Sequence, residues 1–328
     1  MSRSTPEPTS VEESLLEQLL ALPISNTEDG VETEQLELFV VSDKSSDWPV
    51  KDDISSMEFP IFSLSKKPDT RIREFSRGEK SLKVIPSVVG AATVFDKDVL
   101  IYAISQIIRA KEQGKPISRR IRIETFDFLK GTRRSTGGAA YERVIEMCRR
   151  LKGTTIETNI KTTEKERTSG FSLIDDYDIS RYTKNGKGAL EVDLTISEWL
   201  YRAVLDYGIL TLNNDYFILT QSIERRLYEL ARKHCGDQAM WKCRIDLLQE
   251  KCGSTQISKS FANDLRKIAK ENNLPDYRLL IDDSIKPTQV VFISRDMKKV
   301  LFEMSRANLV GWLTKLLQKH LPEAEKEA

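Results

Sequence analysis

The sequence predicts an α+β protein: two tandem winged-helix domains behind a disordered acidic leader. Three observations predict it. Charge is unevenly shared: residues 1–56 hold 13 acidic and 3 basic side chains, and 57–328 hold 37 acidic and 48 basic ones, a split hidden in the net charge of +1. An order of three helices, then β-branched stretches broken by turn residues, occurs twice along the body. The two copies also match in detail. Arg122–Gly131 lies without gaps over Arg244–Gly253, Ile101–Ile104 over Leu227–Leu230, and Tyr141, Ile145 and Cys148 over Phe261, Leu265 and Ile268. The boundaries expected are 1–56 for the leader, 57–212 and 213–298 for the two winged-helix domains, and 299–328 for a C-terminal helical tail.

In the leader, Ser, Thr, Pro and acids leave too few aromatics to build a core, so disorder is expected. Two islands interrupt it. Val11–Pro23 (VEESLLEQLLALP) sets Leu15, Leu16, Leu19 and Leu20 among acids, a short amphipathic helix that Pro23 stops. Glu34–Val41 (EQLELFVV) is a brief apolar extension.

The globular pattern starts at Met57, where MEFPIFSLS and REFSRGEKSLKVIPS suggest short strands. DKDVLIYAISQIIRAKEQG has apolar residues at helical spacing, Asp96 to cap it and Gly114 to end it. RIRIETFDFLKGT gives a brief extended entry and a short second helix ending at Gly131, and Tyr141–Leu151 the third. Thr154–Ser197 is then β-branched, divided by a basic tip (Lys161–Ser169) and by Asn185-Gly186, a hairpin signal. Glu198–Gly208 is a connecting helix. The second copy repeats the order with helices at IERRLYELARKHCG, WKCRIDLLQEKCG and SKSFANDLRKIAKENN, and a hairpin at YRLLIDDSIKPTQVVFISR.

An acidic leader on a basic body points to a polyanion partner. In a helix-turn-helix the third helix enters the major groove, so one side must pack down and the other must offer donors. In the second copy Phe261, Leu265 and Ile268 form the packing side. Opposite them Asn263 is suited to adenine and Arg266 to guanine, with Lys259, Lys267 and Lys270 for phosphates. Ser258 is expected to cap the helix and donate to phosphate, and Lys286 is the basic residue of the wing. In the first copy Arg133 and Arg134 precede the helix, and Arg143, Arg149 and Arg150 decorate it. Glu142 and Glu146 interrupt that face and it carries no Asn or Gln, which assigns it to positioning rather than reading. The hairpin tip with Lys161, Lys165 and Arg167 is a backbone clamp.

Catalysis is not expected. His234 and His320 stand alone, without the His pair that a metal-dependent nickase needs. Cys148, Cys235, Cys243 and Cys252 form no C-x-x-C pair and are expected as buried, reduced thiols. NGKGAL and EQGKPIS lack the flanking residues of a phosphate-binding loop, and Asp175-Asp176 and Asp282-Asp283 fall at hairpin edges. No cofactor or metal is expected. No apolar run approaches the roughly 18 residues of a membrane span, and the start carries no secretory pattern, so a cytoplasmic protein is expected.

The body resembles the plasmid replication initiator protein A family across roughly residues 57–295. The resemblance rests on FPIFSLSKKPDTRIREFSRGEKSLKVIPSVVGAATVFDKDVLIYAISQI and TFDFLKGTRRSTGGAAYERVIEMCRRLKGTTIETN, and is most specific from Phe95 to Asn159. It implies a bacterial, plasmid-encoded protein that binds direct repeats (iterons) at a theta-type origin and helps melt an adjacent AT-rich stretch. It further implies recruitment of the host initiator, helicase loader and helicase. A monomer–dimer equilibrium is implied as well, the dimers repressing their own gene or tethering origins in copy control.

Within the leader, Gln35-Leu36-Glu37-Leu38-Phe39 resembles the pentapeptide by which bacterial proteins bind the sliding clamp. Leu38 and Phe39 would fill an apolar pocket while Gln35 hydrogen-bonds beside it. The competing reading is a linker strand lying on the domain. Two rivals to the initiator stand: a winged-helix transcriptional repressor, which predicts one palindromic operator, and a protein-docking platform, which predicts no retention on duplex DNA.

Overall fold

The computed structural model describes residues 39–40, 48–77, 80–161, 166–184, 187–205 and 208–320. The chain begins with strands β1 (Phe39–Val40) and β2 (Val50–Asp53), helix α1 (Ile54–Glu58), strands β3 (Arg73–Arg77) and β4 (Lys80–Ile85), and helix α2 (Lys97–Glu112). It continues through β5 (Arg120–Glu124), α3 (Thr125–Gly131), α4 (Gly138–Gly153), β6 (Thr155–Lys161), β7 (Glu166–Ser172), β8 (Ile174–Lys184), β9 (Lys187–Ile196) and α5 (Glu198–Leu205). After β10 (Ile209–Leu212) and a 3-10 turn at Asn214–Ile218 come α6 (Ser222–Cys235), β11 (Met240–Arg244), α7 (Ile245–Cys252) and α8 (Ser258–Glu271). Strands β12 (Tyr277–Asp282) and β13 (Gln289–Ser294) and helices α9 (Met297–Arg306) and α10 (Val310–His320) complete it. Two compact units result: residues 1–48, 68–92 and 99–209, and residues 49–67, 93–98 and 210–328.

The first unit is built on α2, which from Val99 onward is apolar on nearly every side and therefore buried: Val99, Leu100, Ile101, Ala103, Ile104 and Ile107 are all inside. Tyr102 meets Trp48 and Phe128 edge-on, with centroids 5.3 and 5.6 Å away. A sheet of order β1-β5-β9-β8 lies in the same unit. Alternation along β5 sends Ile121 and Ile123 inward. Arg122 on the other face meets Asp193 through two bonds of 2.6 and 2.7 Å, and Arg120 meets Asp178 at 3.2 Å. A second sheet, β3-β4-β6-β7, stands apart from it.

The second unit carries the three-stranded sheet β11-β13-β12, with α6, α7 and α8 against it and β2 paired to β10. Helices α9 and α10 pack on that sheet too: Val300, Met304, Leu313 and Leu316 join Ala239, Leu280, Val291 and Ile293 in one cluster. A buried charge network surrounds α6. Lys97 lies 2.5 Å from Asp52 and 3.2 Å from Glu229. Arg226 reaches Glu229 at 3.3 Å and the Ser56 carbonyl at 3.1 Å, and Arg225 pairs with Asp98.

Several expectations are corrected here. Disorder does not extend to residue 56: Trp48 and Val50 are core residues, and Asp52 is held by the Lys97 ammonium, so two features that looked like a solvated leader are interior ones. MEFPIFSLS forms no strand; its start ends α1, and Ser63 forms an isolated bridge with Thr93. WKCRIDLLQEKCG is not helical throughout, because Met240–Arg244 is strand β11 and the helix starts at Ile245. The expected C-terminal helical tail is helical over Met297–Arg306 and Val310–His320, and its apolar side completes the second unit's core. The compact units also divide the chain differently from the expected boundaries, by placing 49–67 and 93–98 with the second unit. The hairpin at REFSRGEKSLKVIPS is present as β3–β4, and α4 is longer than expected, running from Gly138 to Gly153. The leader helix at Val11–Pro23 lies outside the described residues.

Candidate nucleic-acid interface

In the second unit, β11, α7, α8, β12 and β13 follow α6 in order, and the turn between α7 and α8 is five residues long. Gly253 closes α7 in the left-handed conformation, at φ 65°, and a Cβ there would stand 2.6 Å from the Pro60 Cβ. Helix α8 is divided as its sequence dictates: Phe261, Leu265, Ile268 and Ala269 are buried, while Lys259, Asn263, Arg266, Lys267 and Lys270 are exposed. Ser258 is exposed too, but it does not cap the helix. It is the first helical residue, and Ile257 before it supplies no side-chain bond to the free N–H groups.

Both ends of α8 are nonetheless tied down. Gln249 donates to the Gln256 carbonyl (2.6 Å), and Gln256 donates to Asp264 (2.9 Å). At the other end Asn272 turns left-handed at φ 52°, and its side chain accepts from the Leu279 N–H at 3.1 Å. Arg295 donates to the carbonyls of Asn272 and Leu274, which fixes the helix to the foot of the hairpin. Beyond, Lys286 is exposed in the turn between β12 and β13. Asp283 in the same turn lies close enough to Arg266 to temper the basic face. Burial pulls its carboxyl upward, but Thr288, Lys319 and Arg266 together hold it below the usual range.

The first unit has the same order: α2, β5, α3, α4, then β8 and β9, with β5, β9 and β8 adjacent as β11, β13 and β12 are. Helix α4 buries Val144, Ile145, Met147, Cys148 and Leu151 and exposes Glu142, Arg143, Glu146 and Arg149. The two acids are engaged: Glu142 pairs with Arg181 of β8 at 2.9 Å, and Glu146 with Arg150 at 3.9 Å. Arg133 is exposed with φ 55° just before α4, and Arg134, partly buried, donates its N–H to the Leu129 carbonyl.

The expected clamp hairpin exists as β6–β7, with Lys161 opposite Glu166 and Ile160 opposite Arg167. It belongs to the β3-β4-β6-β7 sheet, however, and not to the one that matches the second unit's hairpin. Lys165 and the side chains of Lys161 and Arg167 lie outside the described residues. The matching hairpin is β8–β9, whose register pairs the backbone of Lys184 with that of Lys187. Neither lysine was among the residues expected to contact DNA, although the Asn-Gly pair between them is a hairpin signal in the sequence.

Gln35, Leu36 and Leu38 also lie outside the described residues. The backbone of Phe39 and Val40 is β1, parallel to β5 opposite Ile121 and Arg122. All four cysteines are buried and none is in a disulfide, and burial pushes the Cys235 thiol to about 11 and the Cys243 and Cys252 thiols to about 12. Among the described residues no helix is long and apolar enough to cross a membrane.

Comparison with known proteins adds three similarities. The sequence model of the family described as Replication initiator protein A matches residues 51–279. A "Putative replication protein" of Wigglesworthia glossinidia brevipalpis is 39% identical over 243 residues, covering 74% of this chain and 88% of that protein. Among solved structures, domains 2 and 3 of RctB share the fold. One crystal structure has a TM-score of 0.57 at 12% identity, over 74% of this chain and 98% of that one. A second has a TM-score of 0.50 at 13% identity, over 76% and 99%.

Proposed function

The chain belongs to the replication initiator protein A family, and from that premise we propose that it starts plasmid replication by binding direct repeats in duplex origin DNA through two winged helices. The observation that carries this reading is α8, whose Asn263, Arg266, Lys267 and Lys270 stand exposed on the side opposite a buried apolar face. A cylinder of that kind fits the major groove, with Asn263 and Arg266 on base edges and the lysines, with Ser258, on phosphates. Helix α4 contributes Arg143 and Arg149 beside acids already neutralised by arginines, a surface suited to backbone contact. The β8–β9 pair at Lys184 and Lys187 and the turn at Lys286 then act as wings, with Lys161, Lys165 and Arg167 as further basic contacts.

On this reading the protein is not an enzyme. It holds the origin while host initiator, helicase loader and helicase assemble, with the sliding clamp as a further partner through Gln35–Phe39. It works in the bacterial cytoplasm, and its dimers serve copy control.

Footprinting on DNA with tandem repeats, beside DNA with one palindrome, tests the proposal. Regular protection of successive repeats that weakens with salt is expected, with no strand cleavage in magnesium. Protection of the palindrome alone would favour the transcriptional repressor, and no retention on either duplex would favour a protein-docking platform.

A further inference from the structure

Helix α9 has two unlike sides. Val300 and Met304 close the second unit's core, and the Glu303 carboxylate accepts from the Ala239 N–H at 2.9 Å. Away from that core, Lys298, Leu301, Phe302, Ser305 and Arg306 are exposed at spacings of three and four, so they form one stripe. Leu301 is 50% and Phe302 63% exposed, an unusual place for two adjacent large apolar side chains on a helix whose other side is already buried. The Arg306 guanidinium lies 5.7 Å from the Phe302 ring, and Lys298 stands one turn before Leu301. The stripe is an apolar pair with a cation at each end.

That charge pattern selects the occupant. A second copy of α9 is a poor one, because antiparallel pairing would set Lys298 against Arg306 and parallel pairing would set each cation against itself. An acidic amphipathic helix fits, and this chain carries one in its sequence. Val11–Pro23 has Leu15, Leu16, Leu19 and Leu20 at helical spacing, with Glu12 and Glu13 one turn ahead of them and Glu17 between. We propose that the exposed stripe of α9 is a docking surface for the acidic leader segment Val11–Leu22. Leu301 and Phe302 receive the leucines, and Lys298 and Arg306 meet the glutamates. The surface is separate from α8 and stands whether or not the chain binds DNA.

A full-length chain with a photo-crosslinking phenylalanine analogue at position 302, analysed by mass spectrometry, tests the assignment. Crosslinks to peptides spanning 11–22 are expected; crosslinks elsewhere, or none, would overturn it. Mixing isotopically heavy and light chains then tells whether the leader comes from the same molecule or a second copy. In parallel, L301S/F302S should raise amide exchange in residues 12–22 by about tenfold or more, while exchange in β13 stays unchanged because the two side chains lie outside the core. Unchanged exchange in the leader would sink the idea.

Discussion

Glu229 and Asp52 share one ammonium, and they share it unequally. Among the described residues Lys97 is the cation beside Asp52, and burial drives the Asp52 carboxyl well above the usual range against the pull of Lys97. Burial pushes Glu229 up as well, but Lys97, Arg226 and the Tyr216 hydroxyl (2.7 Å) outweigh it and hold it below its ordinary value. The signs for stability are opposite. Glu229 contributes fully above its unfolded value of 4.5 and loses that as pH falls through its lower folded value. Asp52 contributes fully below 3.8 and loses that as pH rises through its raised one. Glu229→Gln leaves Arg226 and Lys97 short of counter-charge and should cost roughly 3–5 kcal/mol at neutral pH. Asp52→Asn leaves Lys97 with Glu229 and should cost under about 1 kcal/mol. Urea titrations at pH 5 and 7 measure both, and equal losses would refute the unequal sharing. At the candidate interface, Asn263→Ala should relax discrimination at one base pair by roughly 1–3 kcal/mol. Its thermal midpoint should stay that of the parent, since Asn263 is exposed.

Among elements, α8 is the clearest case of a sequence pattern that survives folding. Its apolar residues recur at three and four, and those positions are the buried ones. Its start is less well made. Ile257, 75% exposed, occupies the capping position and offers nothing to the first N–H groups. Ile257→Ser should add roughly 0.5–2 kcal/mol, read by chemical denaturation, because a hydroxyl there accepts from the first turn. A variant no more stable than the parent would mean that those N–H groups are already satisfied. The strand β11 was hidden for a related reason. Met240–Arg244 is too short to show a period of two, and it runs directly into a helix, so Trp241 to Gly253 looked like one segment.

For the whole molecule, the split between acidic leader and basic body bears on affinity through salt. If Lys259, Lys267 and Lys270 each hold a phosphate, replacing all three with Gln should reduce the slope of log K against log salt by about 3. Fluorescence anisotropy across a salt series reads that slope, and an unchanged one would remove these lysines from the phosphate contacts. The charge split was legible in the sequence, but its edge was misplaced. Asp52 and Asp53 look like leader acids, yet both are buried, Asp52 on Lys97 and Asp53 on the Ser56 N–H and hydroxyl.

The sequence by itself determined what depends on neighbours along the chain: the helices α2, α4, α6 and α8, the doubled order of elements, and the family. Periodicity and turn chemistry act over a few residues, and those features need no more. Tertiary structure alone decided which strands share a sheet, so the basic β6–β7 hairpin went to one sheet and β8–β9 to the other. It also decided that Lys97, Asp52 and Glu229 meet, although 45 and 132 positions separate Lys97 from its two partners. Strand pairing and buried ion pairs join residues far apart in sequence, and no local pattern records which distant partner a strand edge or a charge will find.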